Sequence, residues 1–386
     1  MRIVYAALDQ RVPGTTGGSV HVTAVAEGLA ALGHEVHVLT TPGPGPFPAG
    51  LARWHALAPP LGLRHLRVLR TGAVRAFAKG AGAEVIIERY HNFGGEGMRA
   101  AAMLGALAVL EVNTPVVDYP GSPKARLDKA LLLEPMRRWR EMQCRMADLL
   151  VTPTAAILPA FVPRDRVVEI EWGADTERFE PGAKGPTPFT RRPATVVAVF
   201  AGAFRAWHGA VNLVRAVREL RSAGRHDIDA VLIGDGPELA RVRTEAAGID
   251  GITLSGALEH ERMPACLAAA DIGVAPFDIQ AHPPLQLAFY WSPLKIFEYM
   301  AAGLPVVAPN IPRLASILGS GQQGQLYDPE APRALADTLA RLAGDDVERR
   351  RLGAAARVRV CLEFSWAAHC RKLDGAIRQA MGRRAT

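Results

Sequence analysis

The stretch Ser292-Pro-Leu-Lys-Ile-Phe-Glu-Tyr-Met-Ala-Ala-Gly-Leu-Pro-Val-Val-Ala308 decides how the chain is read. Ser292-Pro293 signals a turn, and good helix formers follow it. They predict a helix over 295–302, with Lys295 and Glu298 one turn apart on one face. Gly303 suits the position just past a helix end, and Pro305 forbids continuation. Val306-Val307-Ala308 then reads as a short buried parallel strand. A base and an acid in the first turns sit where backbone N–H groups are unpaired and the helix dipole is positive. That combination suits a phosphate and a sugar hydroxyl.

Moving outward, the same alternation of strand and helix fills the C-terminal half. Strands are predicted over 195–201, 230–233, 252–254, 272–275 and 324–327. Helices are predicted over 209–223, 237–247, 263–269, 332–343 and 347–362. The segment 181–188, Pro-Gly-Ala-Lys-Gly-Pro-Thr-Pro, reads as a linker. Before it lies a second alternation. A strand over 1–8, a loop over 13–19, a helix over 20–32 closed by Gly33 and a strand over 36–39 make a βαβ unit. Strands over 85–87, 108–111 and 149–151 follow, with helices over 64–79, 97–104 and 125–147 between them. At 386 residues the chain exceeds one ordinary core. We therefore expect an N-terminal domain over 1–182, a second domain over 190–365, and a helix within 366–386 that returns to the first.

Composition narrows the functional classes. The four cysteines share no CxxC or His-linked spacing, which argues against a disulfide framework or a zinc site and favours a reducing cytoplasm. Met1-Arg2-Ile3-Val4 starts directly as a strand, so no signal peptide is expected. No apolar run approaches the ~18 residues of a membrane-spanning helix. The formal charge is +7. Basic residues cluster at Arg64, Arg67, Arg70, Arg75 and Lys79, and again at Lys124, Arg126, Lys129, Arg137, Arg138 and Arg140. They read as a solvated face, or as a surface drawn to anionic lipid or to a phosphorylated acceptor. Nucleic acid ranks last, because aromatic residues are sparse and no nucleic-acid motif occurs.

Several strand–turn–helix junctions carry candidate chemistry. Gly17-Gly18-Ser19 lets backbone approach a ligand at a helix start. It is not a GxGxxG dinucleotide fingerprint. Gly202-Ala-Phe-Arg-Ala-Trp-His-Gly209 offers Arg205 and His208 to a diphosphate. Gly234-Asp-Gly-Pro237 is a tight turn with Pro237 at a first helical position. Backbone beside Ala257 can meet a nucleobase edge. The loop from Asp278 to Trp291 holds His282, Gln286, Tyr290 and Trp291, where a donor sugar would be gripped. In the first half, Glu88-Arg89-Tyr90-His91-Asn92 and Glu111-Val112-Asn113 end strands, and His91 is expected to titrate near neutrality.

Together these segments resemble a GT-B glycosyltransferase of the retaining family 4 (group 1) type. Gly234-Asp-Gly-Pro237, Ala270-Asp-Ile272 and Phe297-Glu-Tyr-Met-Ala-Ala-Gly-Leu-Pro-Val-Val307 come in the family's order and spacing. Gly173-Ala174-Asp175 with Phe179 and Pro181 resembles the segment before the family's linker, and the ERY and EVN triplets at 88–90 and 111–113 resemble a bacterial subgroup. The resemblance implies an α/β fold of two Rossmann-like, doubly wound domains facing a cleft. It implies metal-independent, retaining transfer of a sugar from a UDP-hexose or UDP-GlcNAc donor, with no cofactor. The acceptor would be a hydroxyl of a glycan, a lipid-linked intermediate or a natural product. Catalytic roles are expected for His91, Arg205 and Lys295. Donor contacts are expected at Gly17, Gly18, His208, Gly234, Ala257, Leu258, Tyr290, Ser292, Leu294 and Glu298, with Glu298 on the ribose. Glu88, Arg89, Glu111 and Asn113 are expected on the acceptor side. There are departures: Tyr290 stands in place of the first Glu of the family's pair, Ala203 and His208 in place of its phosphate-loop Arg and Lys, and Trp172 in place of Asn. A UDP-sugar epimerase-like enzyme and a non-catalytic glycosyltransferase-like binding subunit are the alternatives.

Overall fold

The computed structural model describes every residue except Thr15, Pro120, Leu133, Pro332 and Thr386, and at Gln286 and Ala385 the backbone alone. The loop position Thr15, the helix start at Pro332 and the Gln286 side chain singled out above therefore lie outside the described residues.

The chain divides into two compact units. One holds Met1–Trp172, Tyr290–Ser292 and Trp366–Thr386, and the other holds Gly173–Phe289 and Pro293–Ser365. Residues 173–182, grouped above with the first domain, pack with the second.

In the first unit the order is β1 (Arg2–Val12), α1 (Gly17–Ala31), β2 (Glu35–Pro42), β3 (Arg53–Ala56), α2 (Thr71–Gly80), β4 (Val85–Arg89), α3 (Glu96–Leu104), β5 (Leu107–Glu111), α4 (Pro123–Ala130), α5 (Pro135–Met146), β6 (Leu149–Thr152) and β7 (Val167–Glu169). They form a seven-stranded sheet in the order β3-β2-β1-β4-β5-β6-β7. All its pairings are parallel. Residues Ile3 to Leu8 are buried without alternation, as a strand covered on both faces requires.

The second unit runs β8 (Val196–Ala201), α6 (Ala210–Ser222), β9 (Ile228–Ile233), α7 (Leu239–Ala246), β10 (Ile252–Gly256), α8 (Met263–Ala268), β11 (Ile272–Val274), α9 (Leu294–Ala301), β12 (Val306–Pro309), α10 (Pro312–Ile317), β13 (Gly324–Tyr327), α11 (Ala334–Ala343) and α12 (Asp346–Glu363). Its six parallel strands lie in the order β10-β9-β8-β11-β12-β13. The order reverses at β1 in one sheet and at β8 in the other, which makes both doubly wound. The last helix, α13 (Trp366–Ala385), packs in the first unit against α1. Asp374 of α13 meets His34 Nε2 at 2.8 Å there, and Cys370 Sγ lies against the Val25 carbonyl.

Three elements differ from expectation for local reasons. The helix expected over 125–147 is two helices. Pro135 sits at the start of α5, lacks an N–H and turns Glu134 out of the helical region (φ 47°). The Asp128 carboxylate then accepts from the Met136 and Arg137 amides at 2.7 and 2.9 Å, capping α5. The helix expected over 64–79 is a 3₁₀ segment, Arg64–Arg70, followed by α2. α1 begins at Gly17 rather than at 20, because Thr16 Oγ1 caps it through the Ser19 amide.

Candidate active site

The second unit assembles its site around α9. The helix ends as a paired αL motif: Gly303, at φ 73°, donates to the Met300 carbonyl and Leu304 to that of Tyr299. Tyr299 is driven under the sheet. Its hydroxyl accepts from the Ala201 amide at 2.7 Å, and a Cβ at Gly273 would stand 2.5 Å from its ring. Only a glycine in β11 admits that ring. The seat holds α9 at the end of β8, beside the point where the strand order reverses.

From this seat Lys295 reaches over β8. Its Nζ lies 3.9 Å from the centroid of Phe200 and 5.2 Å from that of Phe277. It is buried and makes no hydrogen bond among the described residues. A Cβ built on Gly202 would be 3.1 Å from it, so the bare backbone of the β8–α6 junction is its neighbour. Burial pushes its pKa down to about 7, with Glu298 opposing. A buried, unpaired cation beside a glycine turn has the makings of an anion seat.

Glu298, one turn on, is 8% exposed and meets His260 Nε2 at 3.3 Å. His260 comes from the segment after β10 and packs on Phe179. His208 Nδ1 is 2.6 Å from the Ala203 carbonyl, which can only accept, so Nδ1 carries the proton. Burial and the nearby Lys295 lower the His208 pKa to about 3. His208 is therefore neutral, and does not replace the charge of the Lys for which it stands. Arg205 is exposed and lies over the Trp207 ring, which stacks on His282 at 4.2 Å. Gly234, at φ 144°, has no room for a side chain, because a Cβ would strike the Gly202 carbonyl. Its duty is to let two turns cross. Pro237 lies two residues ahead of α7 rather than at its first position, with Glu238 as the cap residue. Ala257 is exposed and Leu258 half-buried in the segment after β10, and Leu294 opens α9.

In the first unit, the residues expected to face an acceptor are occupied with one another. Arg89 donates to Glu111 Oε1 at 2.9 Å, and Glu111 also receives Tyr5 and Asn113. Asn113 accepts from Trp172 Nε1 at 2.9 Å. Trp172 lies 3.5 Å from a Cβ built on Gly17. Arg89, Glu111 and Asn113 thus fix Trp172 against the start of α1, and Arg89 and Glu111 are buried. Gly18 leaves space for the Gln10 amide. Glu88 is fully enclosed: its two oxygens accept the Gly95 and Met98 amides at 2.5 and 2.8 Å, capping α3. It is a structural group, not an acceptor contact, because it is wholly buried and turned to the backbone of α3.

Beneath these lies Arg67, wholly buried, bonded to Glu96 at 2.5 Å and to Asp9 at 2.9 Å. Burial alone would raise the Asp9 pKa, but Arg67 and Arg89 outweigh it and hold the group below its ordinary value. Burial and Arg67 push His91 down to about 4, and its Nδ1 accepts the Phe93 amide. It is a neutral imidazole, not one titrating near neutrality. Tyr290 and Ser292 belong to this unit. Ser292 Oγ accepts from the Trp172 amide at 2.9 Å and bonds Glu171, while Tyr290 is buried.

Two family models cover most of the chain. Residues 15–178 match Glycosyltransferase Family 4, and residues 195–345 match Glycosyl transferases group 1. The chain belongs to the family 4 (group 1) glycosyltransferases. It is 30% identical over 230 residues to a D-inositol 3-phosphate glycosyltransferase of Corynebacterium glutamicum (strain R), covering 56% of this chain and 52% of that protein. The chain thus spans about half the length of that curated relative. It is 26% identical to an alpha-maltose-1-phosphate synthase of Mycobacterium tuberculosis, over 91% of this chain and 92% of that one. A solved glycosyltransferase from Rickettsia africae ESF-5 shares the fold, with a TM-score of 0.73, 15% identity and 98% coverage of both chains. The architecture is therefore GT-B.

The structure brings Lys295, Glu298, His208 and Gly202 together in the second unit, and Gly17, Asn113 and Trp172 together in the first, with His91 near Asp9 and Arg67. Sequence reasoning missed Tyr299 and Asp9. Tyr299 had a signal: Gly273 inside a strand marks a close approach, and a Tyr on the facing helix fills it. Asp9 lies in a strand that runs four residues beyond its expected end, and the sequence gives no sign that Arg67 and Arg89 converge on it.

Proposed function

We propose that the chain is a retaining glycosyltransferase that moves a hexose or N-acetylhexosamine from a nucleoside diphosphate sugar, in the first instance a UDP-sugar, to a hydroxyl acceptor. The observation that carries this reading is the buried, unpaired Lys295 ammonium beside Gly202 at the sheet's reversal point. A diphosphate is the ligand that answers a desolvated cation there. Glu298, held by His260, is suited to accept from ribose hydroxyls. In the transfer, the bond from the sugar C1 to the diphosphate oxygen breaks and a bond from the acceptor oxygen to C1 forms on the same face. The acceptor proton passes to the departing diphosphate, whose growing charge Lys295 stabilises. Arg205 adds a second, more screened cation. The compartment we propose is the cytoplasm, in keeping with four unpaired cysteines of which three are buried.

Calorimetric titration of the whole chain with UDP and GDP, followed by donor-hydrolysis assays with and without acceptor, tests this reading. UDP binding should be weakened at least about 10-fold in Lys295→Met and Glu298→Ala, and UDP should accumulate faster when acceptor is present. Unchanged binding in both variants refutes the donor assignment. Turnover of donor to a free epimerised sugar would favour the epimerase reading, and no nucleotide binding at all would favour a scaffold.

A further inference from the structure

Leu61 and Leu132 are the two most exposed large apolar side chains among the described residues, at 88% and 87%. Both also have left-handed backbone, with φ of 55° and 58°. A leucine gains nothing from water, and an L side chain resists that backbone conformation. Glycine or asparagine would make either turn more readily. Both penalties fall together at two separate loops of the first unit.

Each loop has more apolar tips and unpaired cations around it. Leu63 and Leu69 are exposed beside Leu61, and Leu127 and Leu131 beside Leu132. Arg64 stands next to the first group, and Arg126, Lys129 and Arg138 surround the second; all four are exposed. None of these four has a carboxylate within ion-pair distance among the described residues. The two loops flank one segment. His65 packs on Phe93 with ring centroids 5.1 Å apart, and Lys124 Nζ donates to Asn92 at 2.8 Å. They therefore share the side of the sheet where β4 ends.

We propose that these two leucine loops form one docking surface for an anionic lipid bilayer, the leucines entering the interface and the cations meeting lipid phosphates. The chemistry favours lipid over other partners. Nucleic acid would ask for aromatic platforms where leucines stand. A protein partner would ask for a shaped groove, whereas separate tips suit a fluid interface with no shape of its own. No described helix is long and apolar enough to cross a membrane, so the contact is peripheral. The surface stands apart from the sugar-transfer reading, since it uses none of those residues.

Flotation of the full chain with phosphatidylcholine vesicles, with and without phosphatidylglycerol, is the test. Wild type should bind the anionic vesicles at least ~10-fold better, and added salt should weaken that binding. The double variant Leu61→Gly/Leu132→Gly should lose most of it while keeping or raising its melting temperature, since both turns are relieved. Lys129→Glu/Arg138→Glu should weaken binding to anionic vesicles alone. Equal binding by wild type and the double glycine variant, or no vesicle binding by wild type, overturns the proposal. So does sedimentation of wild type as a dimer that the glycine variant abolishes, which would assign the surface to a second copy of the chain.

Discussion

Replacing Lys295 by methionine should stabilise the free protein and cripple nucleotide binding. The ammonium is buried over Phe200 and Phe277 with no hydrogen-bond partner among the described residues, and its pKa falls from 10.5 to about 7. At ~1.4 kcal/mol per pH unit, that burial costs the protonated folded state about 5 kcal/mol. The folded pKa is below the unfolded one, so between about 7 and 10.5 the unfolded chain holds a proton that the folded chain has released. Stability from this group therefore rises with pH through that window, and the full penalty is felt below about 7. Methionine keeps the aliphatic length and removes the charge. Lys295→Met should melt several degrees above wild type near pH 6, and the gap should close as pH approaches 10.5. Bound diphosphate restores the charge, so near pH 8 wild type should take up close to one proton per nucleotide. Titration in two buffers of different ionisation enthalpy reads that number directly. The variant should take up none and bind about 10- to 100-fold more weakly, the loss of one charge-assisted contact. Because the variant is the more stable protein, weak binding cannot be ascribed to misfolding. No thermal gain near pH 6, together with no proton uptake by wild type, refutes the reasoning.

Tyr299→Phe should lower the unfolding free energy measured in urea by about 1–3 kcal/mol, because the Ala201 amide loses its acceptor; an unchanged midpoint would mean that the hydroxyl does not hold α9. Arg67→Met strands Asp9, Glu88 and Glu96 without their shared cation and should cost about 3–5 kcal/mol. The loss should deepen as pH rises and the carboxylates have less access to protons, and a wild-type melting temperature near pH 8 would contradict it. His91, His208 and His369 have pKa values lowered to about 4, 3 and 4 against an ordinary 6.5. In this window the unfolded chain binds more protons, so stability should fall as pH drops from 6.5 toward 4. Melting temperature measured across that range checks this, and a flat profile would show that these imidazoles are not held neutral.

The fold was legible because its signals are local. Runs such as Val196–Ala201 and Val306–Pro309 are apolar throughout, as strands covered on both faces must be, and Gly303 marks a helix end by the one backbone conformation it supplies. The edge strands β3 and β7 and the short helix α10 escaped, since Arg53–Ala56 and Val167–Glu169 are brief and only partly covered. Half of the candidate site was legible for the same reason. Lys295 and Glu298 are three residues apart on one helix, so their proximity follows from pitch alone. The charges of the first unit were not legible. Arg89 and Glu111 are 22 residues apart, and Arg67 and Glu96 are 29 apart. Whether such residues face solvent or one another depends on tertiary distance. A motif at a strand end can say that polar groups gather there, but not which of them are already satisfied.

The histidines show why the distinction matters for mechanism. Sequence offers His91 and His208 as groups that could carry charge near neutral pH, and the structure makes both neutral by burial beside existing cations. Position 203, where the family resemblance led us to look for an Arg, is Ala. The proposed donor side is then left with Arg205, which is exposed and screened, and Lys295, which is not. An arginine in the Lys295 seat would remain charged whatever surrounded it, and would burden the empty site permanently. A lysine can release its proton when the seat is empty and regain it when a diphosphate arrives. On the proposed reading, above pH 7 the charge that the leaving group needs is then mostly regained when the leaving group arrives, and donor affinity should decline as pH rises past about 7, the pKa of Lys295 in the empty seat.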